Sequence, residues 1–120
     1  MGRIDRINEQ MKREISQMLL RDFQDPRLEF VSITSVNVSR DLRHAKVQFS
    51  VFGNKEQLHL AEEALNRAKG LVRKLIGQRI RMRYTPEIEF IYDESLEYSA
   101  RIEETLERIK NEQFEDQEDS

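Results

Sequence analysis

The chain contains no cysteine, so disulfides and thiol chemistry are both excluded. Histidine is almost as scarce. His44 and His59 are the only two, and they fall on different predicted elements, which is poor material for a metal centre or an acid/base pair. Each reads first as a solvated side chain. Adjacent carboxylates occur at Glu62-Glu63 and Glu103-Glu104, but neighbouring residues in a helix do not face one another, so neither forms a catalytic pair. Gly53, Gly70 and Gly77 fit no GxGxxG or P-loop spacing. No catalytic residue, metal site, cofactor or small-molecule substrate is therefore expected. No apolar run approaches the roughly 20 residues that span a bilayer. The start, Met1-Gly2-Arg3-Ile4-Asp5-Arg6, carries no apolar signal segment. Gly2 suggests myristoylation, but that pattern wants Ser or Thr where Arg6 stands. The expectation is a cytoplasmic protein with no membrane partner.

The most telling absence is of acid. Between Arg67 and Arg83 stand Arg67, Lys69, Arg73, Lys74, Arg79, Arg81 and Arg83, with no Asp or Glu among them. Yet the whole chain has a formal net charge of -3. Residues 1–86 hold 17 Lys+Arg against 10 Asp+Glu, and residues 87–120 hold 3 against 13. The charges are sorted along the chain. Ordinary solvated helix faces intersperse acids with bases, as salt-bridging pairs require. A positive surface free of acids instead attracts polyanions, through its long-range field and the release of their counterions.

A chain of 120 residues is one domain. With 38% hydrophobic and 36% charged residues, it combines a thin core with a wide charged surface. Ile4, Ile7, Met11, Ile15 and Met18 recur at helical spacing, predicting an amphipathic helix over 3–22. Phe23-Gln24-Asp25-Pro26-Arg27 ends it, because the residue before a proline is pushed from helical angles. A β-branched stretch follows over 31–39, whose alternation slips from Val31 and Ile33 to Val36 and Val38, as at a bulge or twist. Arg40-Asp41-Leu42-Arg43-His44 is a connector of hairpin length. Ala45, Val47, Phe49 and Val51 then alternate with polar residues as a half-buried strand does.

After the Gly53-Asn54 turn, Leu58, Ala61, Leu65, Ala68 and Val72 step along one helical face, and the pattern passes through Gly70 in phase. Helices bend at interior glycines, so Ala68-Lys69-Gly70 is read as a kink between two helices, the second ending near Gly77. A strand over 87–92 follows Pro86. Asp93-Glu94-Ser95 caps a last helix through Lys110, supported by i,i+4 pairs Glu97–Arg101 and Glu104–Arg108. Residues 111–120 are polar and acidic, as in a disordered tail. The domain is thus residues 1–110. Its order, α-β-β-α-kink-α-β with a C-terminal helix, predicts an α+β fold in which helices cover one face of a three-stranded sheet.

On a continuous helix Arg67 and Lys74 fall on one line, and Lys69 and Arg73 on a second, roughly 130° round the cylinder. The second line borders the apolar stripe, where a long side chain rests its stem and still reaches water. A glycine here leaves room for a backbone to approach closely; packing relief is the plainer explanation. Phe49 and Phe90 alternate with polar residues and read as core. Tyr84, beside the basic run, is the one aromatic kept as a candidate base-stacking residue. Arg43, in the connector, and Lys46, two positions beyond His44, complete the candidate polyanion-binding set.

Several strings, in this order and spacing, resemble the ribosome-binding factor A family. They are Asp25-Pro26-Arg27-Leu28, the run from Val36-Asn37-Val38 through Ser39-Arg40-Asp41-Leu42-Arg43-His44 to Ala45-Lys46-Val47, then Ala64-Leu65-Asn66-Arg67-Ala68-Lys69-Gly70, and Asp93-Glu94-Ser95. The resemblance implies a KH-like (type II) fold in which an Ala-x-Gly kink, here Ala68 to Gly70, replaces the GxxG loop. It also implies a non-catalytic, monomeric factor that binds the 30S subunit and its 16S rRNA late in maturation. Processing of the rRNA 5′ end and importance in the cold follow from the same resemblance. The residues alone leave a second reading open: an adaptor whose basic face docks an acidic protein.

Overall fold

The computed structural model describes residues 2–95. The expected last helix beyond Ser95 and the acidic tail lie outside the described residues.

Helix α1 spans Arg3–Gln17. Its first turn holds Asp5, whose Oδ2 accepts from the Gly2 N–H at 3.2 Å, a carboxylate where the helix dipole favours one. Ile7, Met11 and Ile15 are buried along one face. The helix then widens into a π-turn, Met18–Asp22, closed by the Phe23 N–H donating to the Met18 carbonyl at 2.9 Å. The wider turn lets Met18 and Leu19 both enter the core. Asp25 next caps a single 3-10 turn, Pro26–Leu28, accepting from the Arg27 N–H at 3.0 Å.

Strands β1 (Val31–Val38) and β2 (His44–Val51) pair antiparallel, with the register shifting between Ile33 and Ser35. The slip in the sequence pattern is a real irregularity in the ladder. It keeps Ile33, Val36 and Val38 all buried on one side. The connecting turn is fastened by side chains. Asp41 Oδ1 accepts from the Ser39 hydroxyl at 2.6 Å and from the Arg43 N–H at 3.1 Å. These bonds, the Ser39 hydroxyl first, hold the Asp41 carboxyl below its ordinary pKa. Leu42 in this turn has φ 62°, a left-handed conformation uncommon outside Gly, Asn and Asp.

Helix α2 spans Lys55–Arg79. Asn54 and Gln57 cap it reciprocally, each side chain accepting from the other's backbone N–H at 2.9 Å. Gly53 before the cap has φ 151°, a conformation that side chains other than hydrogen rarely adopt. Strand β3, Glu87–Tyr92, lies parallel to β2, with His44 opposite Glu87 and Phe49 opposite Tyr92. The sheet order is β1-β2-β3. Both helices pack on one face, against Val36, Ala45, Val47, Phe49 and Ile88. Phe49 is buried and meets Phe90 and Tyr92 edge-on at 6.5 and 5.9 Å, the core role its alternation predicts. The α+β architecture expected from the order of elements, a three-stranded sheet with helices on one face, is the one observed, and it fits the KH-like fold that the family resemblance implies.

One expectation needs correction. No second helix begins at Ala68-Lys69-Gly70: α2 runs unbroken through all three. Ala61, Ala64 and Leu65 before Gly70, and Val72 and Ile76 after it, are buried on a single stripe. An interior glycine costs roughly 0.5–1 kcal/mol, whereas burying one Val, Leu or Ile side chain contributes about 1.5–3 kcal/mol. Packing on both sides therefore outweighs the glycine.

Candidate nucleic-acid interface

The parallel pairing of β3 with β2 brings three distant stretches together: the β1–β2 turn, the middle of α2 and the 81–86 connector. They enclose an open cleft of about 550 Å³, lined by Arg43, His44, Arg73, Arg83, Tyr84, Thr85 and Glu87. Lys69, Gly70 and Arg73 extend it along α2 toward Glu87 and Ile88. Arg73 Nη2 donates to the Thr85 carbonyl at 3.2 Å, tying α2 to the connector. Gly77 makes that closeness possible: a Cβ there would meet Thr85 Oγ1 at 2.8 Å.

Tyr84 stands at the centre, partly exposed. The guanidinium carbons of Arg43 and Arg83 lie over its ring, 5.2 and 5.4 Å from the centroid. Exposed cation–π contacts are worth about 0.5–1 kcal/mol, whereas a nucleobase stacked on an aromatic ring is worth about 1–3 kcal/mol. A base can therefore displace a guanidinium from the ring. Gly70 differs from the other helix residues here. A Cβ added to it would meet nothing within 4 Å among the described residues, so packing among them does not require a glycine.

The structure sorts the predicted bases. Lys69, Arg73, Arg83 and Arg43 meet around the cleft. Arg67 lies on the other flank of α2, close enough to Asp25 to help Arg27 hold that carboxyl below its ordinary pKa, with the Arg27 hydrogen bond the larger cause. The two lines of bases expected on α2 are thus on separate flanks. Arg79 is taken up within the fold, its Nη1 3.0 Å from Asp22 and 3.8 Å from Glu14 at the end of α1. Lys74 and Arg81 are exposed. Lys46 lies on the sheet face away from the helices, between Asn37 and Glu89. Ala68, half-buried, packs against the core. His59 is exposed and 3.2 Å from Glu63, one helical turn on.

Sequence reasoning missed Thr85 and Glu87 as cleft residues, and the meeting of Arg43 with Tyr84. Only the β2–β3 register could have revealed them, and residue spacing does not encode it. No cluster of metal-ligating residues occurs among the described residues, and no described helix is long and apolar enough to cross a membrane.

The chain thus falls in the class of α+β domains of KH-like architecture, with a cationic cleft beside helix α2. Comparison with known proteins is more specific. The family model for ribosome-binding factor A matches residues 3–106. The chain is 50% identical over 117 residues to ribosome-binding factor A of Halothermothrix orenii, covering 98% of this chain and 96% of that one. It is 45% identical over 115 residues to that of Caldanaerobacter subterraneus, covering 95% and 94%. The crystal structure of the Thermus thermophilus factor superposes with a TM-score of 0.67 at 28% identity, covering 77% of this chain and 97% of that one. A homology model of the Thermus factor, fitted into the cryo-EM map of a 30S complex, gives a TM-score of 0.60 at 29% identity, covering 72% and 91%. This chain belongs to the ribosome-binding factor A family.

Proposed function

We propose that this protein is a non-catalytic, monomeric factor that binds the 30S subunit through 16S rRNA late in maturation and promotes processing of the rRNA 5′ end. It acts in the cytoplasm and matters most in the cold, where misfolded RNA helices persist. The observation that carries this reading is the convergence of Lys69, Arg73, Arg43 and Arg83 on one cleft. Family membership and the relative fitted into a 30S complex support it. Lys and Arg around an open groove meet phosphates, which position a nucleic acid without reading its sequence. The basic flank with Arg67 and Lys74, together with Arg81, adds to the same field. Lys46, on the opposite sheet face, contributes at longer range.

Cosedimentation with purified 30S and 50S subunits over a salt series tests the proposal. Binding to 30S should fall linearly in log affinity against log salt. Each of Lys69→Ala and Arg73→Ala should reduce the slope by roughly 0.7–0.9. Free 16S rRNA should compete for the protein, and an acidic polypeptide of equal charge should not. Association with 50S alone, or displacement by the polypeptide and not by rRNA, would point instead to an adaptor for acidic proteins.

A further inference from the structure

We infer that the cleft holds one unpaired guanine of the bound RNA, stacked on Tyr84 and read by the Glu87 carboxylate. The inference rests on the proposed function and adds base recognition to it. Its starting point is a charge in an unexpected place. Among the described residues, Glu87 is the one acid lining the cleft, set among Arg43, Arg73 and Arg83, and it also borders the groove at Lys69 and Gly70. A surface that met only phosphates would bind better with a neutral residue there, because a carboxylate repels the backbone and weakens the field of the bases.

Glu87 is not consumed by the fold. Its side chain is 70% exposed, and its one ion-pair partner among the described residues is His44, at a long 3.9 Å. Its backbone is held firmly: the Glu87 N–H donates to the Arg43 carbonyl at 2.8 Å. The backbone is thus fixed at the first residue of β3, and the side chain it carries lines the cleft together with Tyr84.

An ionised carboxylate only accepts hydrogen bonds, at two oxygens side by side. The Watson–Crick edge of guanine presents two adjacent donors, N1–H and the N2 amino group, which match those oxygens. Cytosine and adenine each offer one amino group next to an acceptor nitrogen. Uracil offers a single N–H between two carbonyl oxygens that repel the carboxylate. The expected order is guanine first and uracil last. Single-stranded bases are commonly bound in this way, stacked on an aromatic ring and read on their Watson–Crick edge. The base takes the place of one guanidinium over Tyr84, since stacking is the stronger contact. The displaced Arg43 or Arg83 then turns to the adjoining phosphate. An open volume of about 550 Å³ falls within the range of clefts that hold small ligands.

The test is fluorescence anisotropy with short uridine-only RNAs carrying G, A, C or U at one central position. The wild-type protein should prefer the guanine strand by about tenfold, within the discrimination of a bidentate base contact. Glu87→Ala should bind all four strands alike, with affinity for the uridine strand equal or raised because a negative charge has gone. Tyr84→Ala should weaken the guanine strand by about tenfold. Circular dichroism of each variant checks that its fold is unchanged. Salt-dependent binding with no base preference, or a preference that survives Glu87→Ala, overturns this inference and leaves the proposed function standing. No binding of the wild-type protein to any RNA or to 30S subunits overturns the proposed function itself.

Discussion

Replacing Gly70 with alanine should separate folding from binding. Glycine inside a helix destabilises it by roughly 0.5–1 kcal/mol relative to alanine. The usual reason to tolerate that cost is a close neighbour in the folded chain, and among the described residues Gly70 has none within 4 Å of an added Cβ. The helix is also continuous through the site, so alanine needs no change of backbone. Gly70→Ala should therefore stabilise the free protein by about 0.5–1 kcal/mol, which for a domain of this size raises the melting midpoint by roughly 2–8 °C. Thermal and urea unfolding followed by far-UV circular dichroism would measure it. Binding should move the other way, because the new methyl group projects into the groove beside Lys69 and Arg73. Losing one charge-assisted phosphate contact, about 1.5 kcal/mol or more, corresponds to about tenfold weaker binding. Since α2 is already unbroken, the effect comes from the methyl group, and short RNA and whole 30S subunits should lose affinity alike. Gly77→Ala is the control: its Cβ would meet Thr85 Oγ1 at 2.8 Å, so it should lower stability. A destabilised Gly70→Ala protein, or a stabilised one that binds 30S as tightly as wild type, would refute the reasoning.

Arg79→Ala should lower the melting midpoint slightly, since Arg79 joins α2 to Asp22 and Glu14, and leave the salt slope of RNA binding unchanged; a slope reduced as in Lys69→Ala would place Arg79 on the binding face. Asp25, Asp41 and Asp93 all have pKa values below the ordinary 3.8, held down chiefly by Arg27, the Ser39 hydroxyl and the Ser95 hydroxyl respectively. Their folded values lie below their unfolded ones, so each contributes stability that is fully present above the unfolded value and lost as pH falls through the folded one. Urea midpoints should therefore decline below about pH 4, and Asp25→Asn should flatten that decline. Leu42→Gly relieves a left-handed residue, worth roughly 1–2 kcal/mol, but removes a half-buried side chain of about the same value. Stability should stay nearly level while RNA binding weakens, because Arg43 loses its fixed turn; unchanged RNA affinity would show that the turn does not need to be rigid.

What the sequence disclosed was set by local periodicity. The apolar stripe of α1, the slip at Ile33–Ser35 and the alternation that buries Phe49 all follow from nearest-neighbour geometry, and all appear in the structure. The second helix expected from Gly70 is not a separate one, because a helix break depends on competing energies, and the packing of Leu65 and Val72 on either side is a tertiary fact. The π-turn at Met18–Asp22 is of the same kind, since it answers to where Met18 and Leu19 must go. The basic stretch was visible as composition, but its division between two flanks of α2 and an ion pair at Arg79 was not. Lys69 and Arg73 share a line readable from helical spacing. Their meeting with Arg43 required the position of β3.

The position of β3 also explains why the cleft is assembled from the chain's least local contacts. Arg43 and Glu87 become neighbours only when β3 docks parallel to β2, and parallel strands need a long crossover between them. Here the crossover is α2 itself, which carries Lys69 and Arg73 on the flank facing β3. The element that connects the strands thus supplies half of the charges, and the strand it delivers supplies the rim. Arg73 bonded to the Thr85 carbonyl and Gly77 against Thr85 fix how closely α2 approaches the connector, and so how wide the cleft is. Lys69 and Arg73 are therefore held at a spacing set by the helix and the core beneath it, and Arg43 and Arg83 stand on a turn and a connector that are fastened to the same frame. Like charges held together in this way repel one another in the free protein, and a polyanion relieves that repulsion on binding. The same basic residues scattered over a flexible segment would lose side-chain and backbone freedom with each contact. On the helix–sheet scaffold most of that ordering is complete before any polyanion arrives.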